Sequence, residues 1–275
     1  MYKIAVISDI HGNLEALKTV LNDIEKRNVD KIVCLGDIVA KGRHFHECIA
    51  LLQEKCDVVV KGNCDWFFTE FEDAPEEINR KRLKYNRDNL TEEDIIYLKN
   101  LPLCYEIKLS GSLIRMFHSN PKDICAFVGD QSSLDEYYDM FLPTENTISK
   151  DIADIVLYGH IHKAFMIKLY NRTLINVGSV GNCFEVYKNK YKDADPRNIT
   201  KANYVIISGN LDSEEYDSLS YEFVELKYDI EKELSTSKDA FEYEELSKEL
   251  REARYRDIQS LKEKLSKLNI DVDEM

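Results

Sequence analysis

Lys3-Ile4-Ala5-Val6-Ile7-Ser8 runs into Asp9-Ile10-His11-Gly12-Asn13, and then into a segment with Leu14, Leu17, Leu21 and Ile24 at helical spacing. An apolar run closed by polar residues and followed by a helical period reads as strand, turn, helix. Asn13 is the expected N-cap, which leaves Asp9 to Gly12 in the turn. The same grammar recurs. Lys31 to Leu35 reads as a second strand with Asp37 just beyond it, Phe45 to Gln53 as a helix, and Asp57 to Val60 as a third strand with Asn63 beyond it. Such alternation predicts parallel strands joined by crossover helices. In open sheets of this kind the ligand crevice lies at the carboxyl ends of the strands. Three turns about 25 residues apart in sequence are therefore expected to meet in space.

Outward from this core the chain changes character. Trp66, Phe67, Phe68 and Phe71 precede a charged stretch from Arg80 to Asp88, and Thr91 is placed to cap a helix over Glu92 to Leu98. Residues 65–100 are expected to form a helical cap beside the crevice. From Leu103 onward β-type runs dominate, at Tyr105 to Leu109, Leu113 to Phe117, Ile155 to Tyr158, Phe165 to Leu169, Thr173 to Val177 and Tyr204 to Ile207. A helix around Ser133 to Leu142 interrupts them. Within Phe241 to Leu268, the residues Leu246, Leu250, Ala253, Ile258, Leu261, Leu265 and Leu268 recur at helical spacing among many Glu and Lys, the pattern of an amphipathic helix. The expected organisation is one α/β domain over residues 1–228, including the cap, with an acidic helical extension over 229–275.

The 275 residues, 44% hydrophobic and 32% charged, suffice for a sizeable core. No apolar run approaches the ~20 residues of a membrane span. The first residues lack the apolar stretch and cleavage site of a secretory signal, so a cytoplasmic protein without membrane contact is expected. Seven cysteines with no CxxC spacing argue against a disulfide framework and against a zinc ribbon. The net charge is -14, and residues 210–275 alone carry 20 acidic and 10 basic side chains. A surface of that sign repels phosphate backbones, so long nucleic acid is not an expected partner. A small anionic substrate must instead be held by local positive charge, such as metal ions.

The chemistry-bearing residues sit where apolar runs end: Asp9-Ile10-His11, Gly36-Asp37, Gly62-Asn63-Cys64-Asp65, His118, and Gly159-His160-Ile161-His162. Strand ends aim side chains into one cavity while the sheet holds them rigid. If these segments are extended, Asp9 with His11, and His160 with His162, each project to one side as a two-pronged clasp. Imidazole, carboxylate and amide together suit borderline divalent metals such as Mn, Fe or Zn better than Ca or Cu(I). Each fragment alone has a bland reading as a cap or a turn. Five in this order, each at a strand end, point to a metal site.

The order resembles the calcineurin-like metallophosphoesterase superfamily, with its Asp-x-His, Gly-Asp, Gly-Asn-His-Asp/Glu, lone His and Gly-His-x-His, over about residues 1–208. Within it, the chain looks most similar to small bacterial phosphodiesterases and diadenosine-polyphosphate hydrolase relatives. Asn176-Val177-Gly178-Ser179-Val180-Gly181 resembles their Asn-Pro-Gly-Ser segment, with Val for Pro. The resemblance implies two packed mixed β-sheets flanked by helices. It implies one metal on Asp9, His11 and His162, a second on Asn63, His118 and His160, and Asp37 bridging them, the ions being Mn, Fe, Zn or Ni with Mn first. It further implies hydrolysis of phosphoanhydride or phosphodiester bonds in small nucleotide-type substrates, diadenosine polyphosphates among them, by attack of a metal-bound hydroxide. By the same resemblance Asp37, Asn63, Cys64 and Asp65 are the expected catalytic group. Two other readings stand beside this one: a non-catalytic scaffold on the same fold, which the acidic C-terminal helix would suit, and a phosphomonoesterase or protein phosphatase.

Two divalent ions, less two carboxylates and a hydroxide, leave about one net positive charge to hold a phosphate. The family's His after Gly-Asn is Cys64 here. That His is assigned in the family to protonating the leaving oxygen or stabilising the transition state, and a thiol is a weak donor, so poor leaving groups are disfavoured relative to anhydrides and activated diesters. Cys64 filling a small site, or ligating a metal, are the other readings, and the second is disfavoured because the N and O ligands already complete two sets. Lys41 and Arg43 are candidates for phosphate contact or plain solvated cations, and His44 and His46 read as surface residues. Asn13 and Asp65 are read as capping or ligand-orienting groups. Trp66, Phe67 and Phe68 either stack on a base or pack the cap onto the core, and Ser179 either serves phosphate or makes a turn.

Overall fold

The computed structural model describes residues 1–73, 77–184 and 200–253. In chain order the elements are β1 (Tyr2–Ile7), α1 (Leu14–Lys26), β2 (Lys31–Cys34), α2 (Phe45–Lys55), β3 (Val58–Val59), α3 (Asn63–Glu70), α4 (Glu77–Asp88) and α5 (Glu92–Lys99). They continue as β4 (Cys104–Leu109), β5 (Ser112–Phe117), α6 (Leu134–Asp139), β6 (Ile155–Tyr158), β7 (Phe165–Leu169) and β8 (Arg172–Asn176). The last are β9 (Ala202–Gly209), β10 (Ser220–Leu226), α7 (Ile230–Thr236) and α8 (Tyr243–Glu252). Two five-stranded sheets result, in the orders β10-β9-β1-β2-β3 and β4-β5-β6-β8-β7. Both are mixed: β1, β2 and β3 run parallel, as do β5, β6 and β8, while β9, β10, β4 and β7 add antiparallel pairs.

The unbroken apolar run of β1 follows from its place between two cores. Ile4 and Val6 face the other sheet, packing with Val33, Leu35, Met116 and Leu157. Ala5 and Ile7 face outward, under Leu17 and Val20 of α1 and Ile49 and Leu52 of α2. A strand covered on both sides loses the polar alternation of a half-exposed one. Asn13 caps α1 by accepting from Ala16 N at 3.1 Å, and Thr91 forms a capping box with Asp94 at the start of α5, as their sequence positions indicate.

Residues 65–100 do form helices, and these share the main core: Phe68, Leu83 and Leu98 belong to the same buried cluster as α1 and α2. Trp66 packs edge-on against Phe71, and Phe67 against Phe68 and Phe71, an aromatic knot internal to this segment.

Two elements are additions to the sequence reading. Strand β10 is an edge strand with only Val224 buried, and α7 has seven residues with Leu234 as its buried apolar anchor. Neither carries a period long enough to read. Of the expected C-terminal helix the described residues hold α8, which ends at Glu252 with Ala253 left-handed at φ 48°. Ile258, Leu261, Leu265 and Leu268 lie outside the described residues. Among the described residues no helix is long and apolar enough to cross a membrane.

Candidate metal centre

The carboxyl ends of β1, β2 and β3 and those of β5 and β6 meet along one edge of the sandwich, and main-chain hydrogen bonds lace their turns together. Asp9 N–H donates to the Gly36 carbonyl at 2.9 Å, and Ile10 and His11 N–H both donate to the Asp37 carbonyl at 2.8 and 2.9 Å. Within the second sheet Gly159 N–H donates to the His118 carbonyl, and across the sheets Val180 and Gly181 N–H reach the carbonyls of Ser8 and Asp9.

The clasps do not arise from extended backbone, and that expectation is corrected. Asp9, His11, Asp37, His160 and His162 all have left-handed backbone, with φ of 55, 51, 53, 69 and 60°. Each such conformation in a non-glycine residue costs on the order of 1 kcal/mol. Asp and His tolerate it better than branched residues, and the lacing above holds it. The turns curl each side chain back over the sheet edge, so the pairs converge although the chain between them is not a strand.

Two corners result, with Asp37 between them. In the first, Asp9 Oδ1 lies 3.2 Å from His162 Nε2 and 3.8 Å from His11 Nε2, and the two Nε2 atoms are 3.1 Å apart. In the second, Asn63 Oδ1 lies 2.8 Å from both His118 Nε2 and His160 Nδ1. Asp37 turns Oδ2 toward His11 Nε2 at 3.6 Å and Oδ1 toward His118 Nε2 at 3.5 Å. Cys64 Sγ belongs to the same cluster, with its sulfur and the ligand atoms of His11 and Asp37 all within 4.8 Å of one another.

The first corner fits a cation on its hydrogen bonding alone. His11 Nδ1 sits 3.0 Å from the Val39 carbonyl and His162 Nδ1 2.6 Å from the Asn182 carbonyl. A carbonyl only accepts, so each Nδ1 carries the ring proton and each Nε2 presents a lone pair. Two lone pairs then face one another beside Asp9 Oδ1, a buried oxygen with no hydrogen-bond partner. Three acceptors aimed at one point repel unless a cation lies between them. Carbonyl-anchored imidazoles are also the usual support of histidine ligands, and His118 Nδ1 is held the same way by the Leu35 carbonyl at 2.8 Å.

Asp9, His11, Asp37, His118 and His160 are each displaced from their ordinary values by their surroundings. Burial, then the neighbouring His162 and Lys41, push His11 well down. Burial, then His118, push His160 down to about 3. Burial raises the Asp9 carboxyl, yet the neighbouring imidazoles of His162, His118 and His11 take it net below its ordinary value. Burial dominates at Asp37 and, with the charge of Asp9, holds it up against His118. His118 loses to burial but gains more from Asp37 and Asp9, and ends raised.

The supports explain the precision. Asp65 is fully buried and spends both oxygens on main-chain donors: Oδ2 on Asp37 N and Gly62 N, Oδ1 on Ile38 N and Val39 N. Its place in the catalytic group is therefore revised: it fixes the loop that carries Asp37, with both oxygens committed to main-chain N–H groups. Burial and the charge of Asp37 push it up to about 6. Glycines make the close approaches possible. A Cβ on Gly159 would lie 1.9 Å from Ser8 Oγ and 2.6 Å from Asp9 Oδ2, and one on Gly62 would lie 2.1 Å from Asp37 N and 2.2 Å from Asp37 Oδ1. Gly62→Ala must displace Asp37. We expect it to lose about 1–3 kcal/mol in denaturant unfolding and to bind Mn about tenfold more weakly by calorimetry; wild-type affinity would show that Asp37 need not sit where it does.

Among the weaker sequence candidates, Ser179 makes a turn: its Oγ donates to the Asp9 carbonyl and accepts from Asn182 N. Asn13 donates to the Gly181 carbonyl and to Tyr228 Oη. Lys41 pairs with Glu249 and Arg43 with Asp239, both from the C-terminal extension. His44 is largely covered by the same extension through Thr236 and Glu233, a correction to its reading as a surface residue, whereas His46 is exposed beside Asp94. Sequence reasoning missed Asn182 and Glu249. No spacing marks Asn182. Glu249 left a signal, an acid three residues after Leu246 on the apolar face of an amphipathic helix.

Comparison with known proteins agrees with this geometry. The family profile described as calcineurin-like phosphoesterase superfamily domain matches residues 2–194. Over 247 residues the chain is 32% identical to the uncharacterized protein MJ0912 of Methanocaldococcus jannaschii, covering 83% of this chain and 89% of that one. Among solved structures it is similar to a metallophosphoesterase from Sphaerobacter thermophilus, with TM-score 0.66 and 23% identity over 92% of this chain and 99% of that one. It is also similar to the hypothetical protein PH1004 from Pyrococcus horikoshii OT3, with TM-score 0.68 and 19% identity over the same shares of 92% and 99%. At these identities the two structures speak to the fold.

Proposed function

The chain belongs to the calcineurin-like phosphoesterase superfamily and is a metal-dependent phosphoesterase, and from that premise we propose that it uses a pair of divalent cations to hydrolyse phosphoanhydride or phosphodiester bonds of small nucleotide-type substrates. The observation that carries the proposal is Asp37, one carboxylate whose two oxygens face two separate ligand corners. Asp9, His11 and His162 would hold one ion, Asn63, His118 and His160 the other, and Asp37 would be shared. Nitrogen and oxygen donors with one amide place manganese first, before iron, zinc or nickel. Such ions polarise phosphoryl oxygens and make bound water acidic near neutral pH.

The remaining steps belong to the chain. The carbonyls of Val39, Leu35 and Asn182 hold the ring protons of His11, His118 and His162 at Nδ1, so each Nε2 is ready as a ligand without reorganisation. Asp65 keeps Asp37 in register through four N–H donors. Cys64 stands beside Asp37, its main-chain N–H donating to Oδ1 at 2.8 Å. Its thiol is a poor acid for an alkoxide, so substrates whose leaving group departs without a proton are favoured. Dinucleoside polyphosphates meet that requirement, since a nucleotide phosphate is a good leaving group. A net charge of -14 leaves anion recruitment to the centre itself.

The test is a panel of Mn-loaded assays on bis-nitrophenyl phosphate, nitrophenyl phosphate, cyclic nucleotides and dinucleoside polyphosphates. Turnover of the activated diester and the dinucleoside polyphosphates, above that of the monoester, is expected. No turnover on any of the four would overturn the reading and favour a scaffold.

A further inference from the structure

Glu249 stands on the buried face of α8 beside Leu250, and is 1% exposed. A carboxylate taken from water to that extent is costly unless it is paired and hydrogen-bonded. Its Oε2 accepts from Asn182 Nδ2 at 2.7 Å and meets Lys41 Nζ at 3.2 Å. Both partners adjoin the first corner. The main-chain carbonyl of Asn182 is the acceptor that fixes His162 Nδ1, and its N–H is tied through Ser179 Oγ to the Asp9 carbonyl. Lys41 lies in the loop after Asp37, and the next residue, Gly42, donates to the His11 carbonyl. The Lys41 ammonium sits 4.9 Å from the centroid of the Phe184 ring, which stacks on His162 with centroids 4.9 Å apart and planes 6° off parallel. Thr200 completes the attachment, its Oγ1 donating to the Glu249 carbonyl at 3.1 Å and its N–H to the Leu250 carbonyl at 3.3 Å.

A lysine one ring away from a cation site opposes cation binding unless an anion accompanies it. We propose that Glu249 is a positioning residue of the metal centre: it holds Asn182 behind His162 and offsets the charge of Lys41, so the C-terminal extension sets how tightly the His11–His162 corner takes a cation. The inference rests on the reading of that corner as a metal site. It gives the extension a task inside its own domain.

Three variants separate the parts, each titrated metal-free with Mn by calorimetry after circular dichroism confirms folding. Glu249→Ala loses the contacts to Asn182 and Lys41 and is expected to weaken Mn binding at least about tenfold. Glu249→Gln retains an oxygen for Asn182 but no charge, and is expected to weaken it about threefold. Lys41→Met added to Glu249→Gln removes the cation as well, and is expected to return affinity to within about twofold of wild type. A merely structural role for Glu249 would not be rescued by deleting Lys41. Wild-type affinity in folded Glu249→Ala, or in Glu249→Gln should the alanine variant fail to fold, would overturn the proposal, and a double variant no tighter than Glu249→Gln would overturn its electrostatic half. Wild-type protein that takes up no Mn would instead overturn the metal site, and this inference with it.

Discussion

Asp37→Asn should abolish turnover and at the same time make the metal-free protein more stable. The substitution is nearly isosteric, and Asn can keep the oxygen that accepts from Cys64 N. What disappears is a buried negative charge. Asp9, Asp37 and Asp65 are all at most 2% exposed, and the charge of Asp9 raises Asp37 while that of Asp37 raises Asp65. A carboxyl whose folded pKa is raised binds its proton more tightly when folded than when unfolded. Its protonation therefore stabilises the fold below the unfolded pKa, and that stability is lost as pH rises through the folded value, about 6 at Asp65. Asp37 and Asp65 thus contribute a loss of stability between about pH 4 and 6 in the metal-free protein, opposed there by His11 and His160, whose lowered values contribute a gain as pH rises, and Asp37→Asn should remove its share of the loss. Part of the gain is offset because His118 loses its attraction to Asp37, so the net rise at neutral pH is expected at about 1 kcal/mol. Turnover on bis-nitrophenyl phosphate should fall at least about 10³-fold, with less Mn bound at saturation. Chelator-treated thermal melts across pH, beside Mn-loaded assays, check both halves. Retained activity would remove the shared-ligand role, and an unchanged pH slope would show that the three carboxyls already share their protons.

The trade between fold and site also explains what the sequence could disclose. Apolar runs that stop abruptly at Asp9, Asp37, Asn63, His118 and His160 mark strand ends by their hydrophobicity alone, and strand ends in a parallel sheet face one crevice. The seven candidate ligands were readable on those grounds. Their backbone was not, because left-handed turns at Asp9, His11, Asp37, His160 and His162 leave no hydrophobic period. Strand β10 escaped because an edge strand buries little and so has no reason to alternate. Asn182 and Glu249 escaped for a different reason. A supporting hydrogen bond is a long-range contact between polar residues, and nothing local to either one distinguishes it from a solvated side chain. Glu249 alone broke a local rule, a charge on an apolar helix face, and such inconsistencies are where sequence reasoning should look for supporting groups.

Cys64→His should shift the substrate preference toward poor leaving groups, by about a hundredfold in the ratio of kcat/KM for an alkyl monoester to that for a dinucleoside polyphosphate. Burial and the charge of Asp37 push the Cys64 thiol well above its ordinary range, so at neutral pH it is a protonated group beside the Asp37 carboxylate. Such a thiol neither attacks nor readily gives up a proton to a departing alkoxide. A histidine at the first turn of α3 brings a titratable nitrogen to the same side of Asp37, and an imidazolium there can protonate the leaving oxygen. An anhydride, whose leaving phosphate departs without a proton, gains nothing. Cys64→Ser is the control: it keeps a small neutral side chain and should leave the ratio within about threefold of wild type. If Cys64 instead ligated a metal, Cys64→Ser would weaken Mn binding by calorimetry, whereas a residue that only sits beside Asp37 leaves it unchanged. A histidine variant with an unaltered ratio would place the proton donor elsewhere, and the preference for anhydrides would then have to come from contacts to the substrate and not from the missing acid.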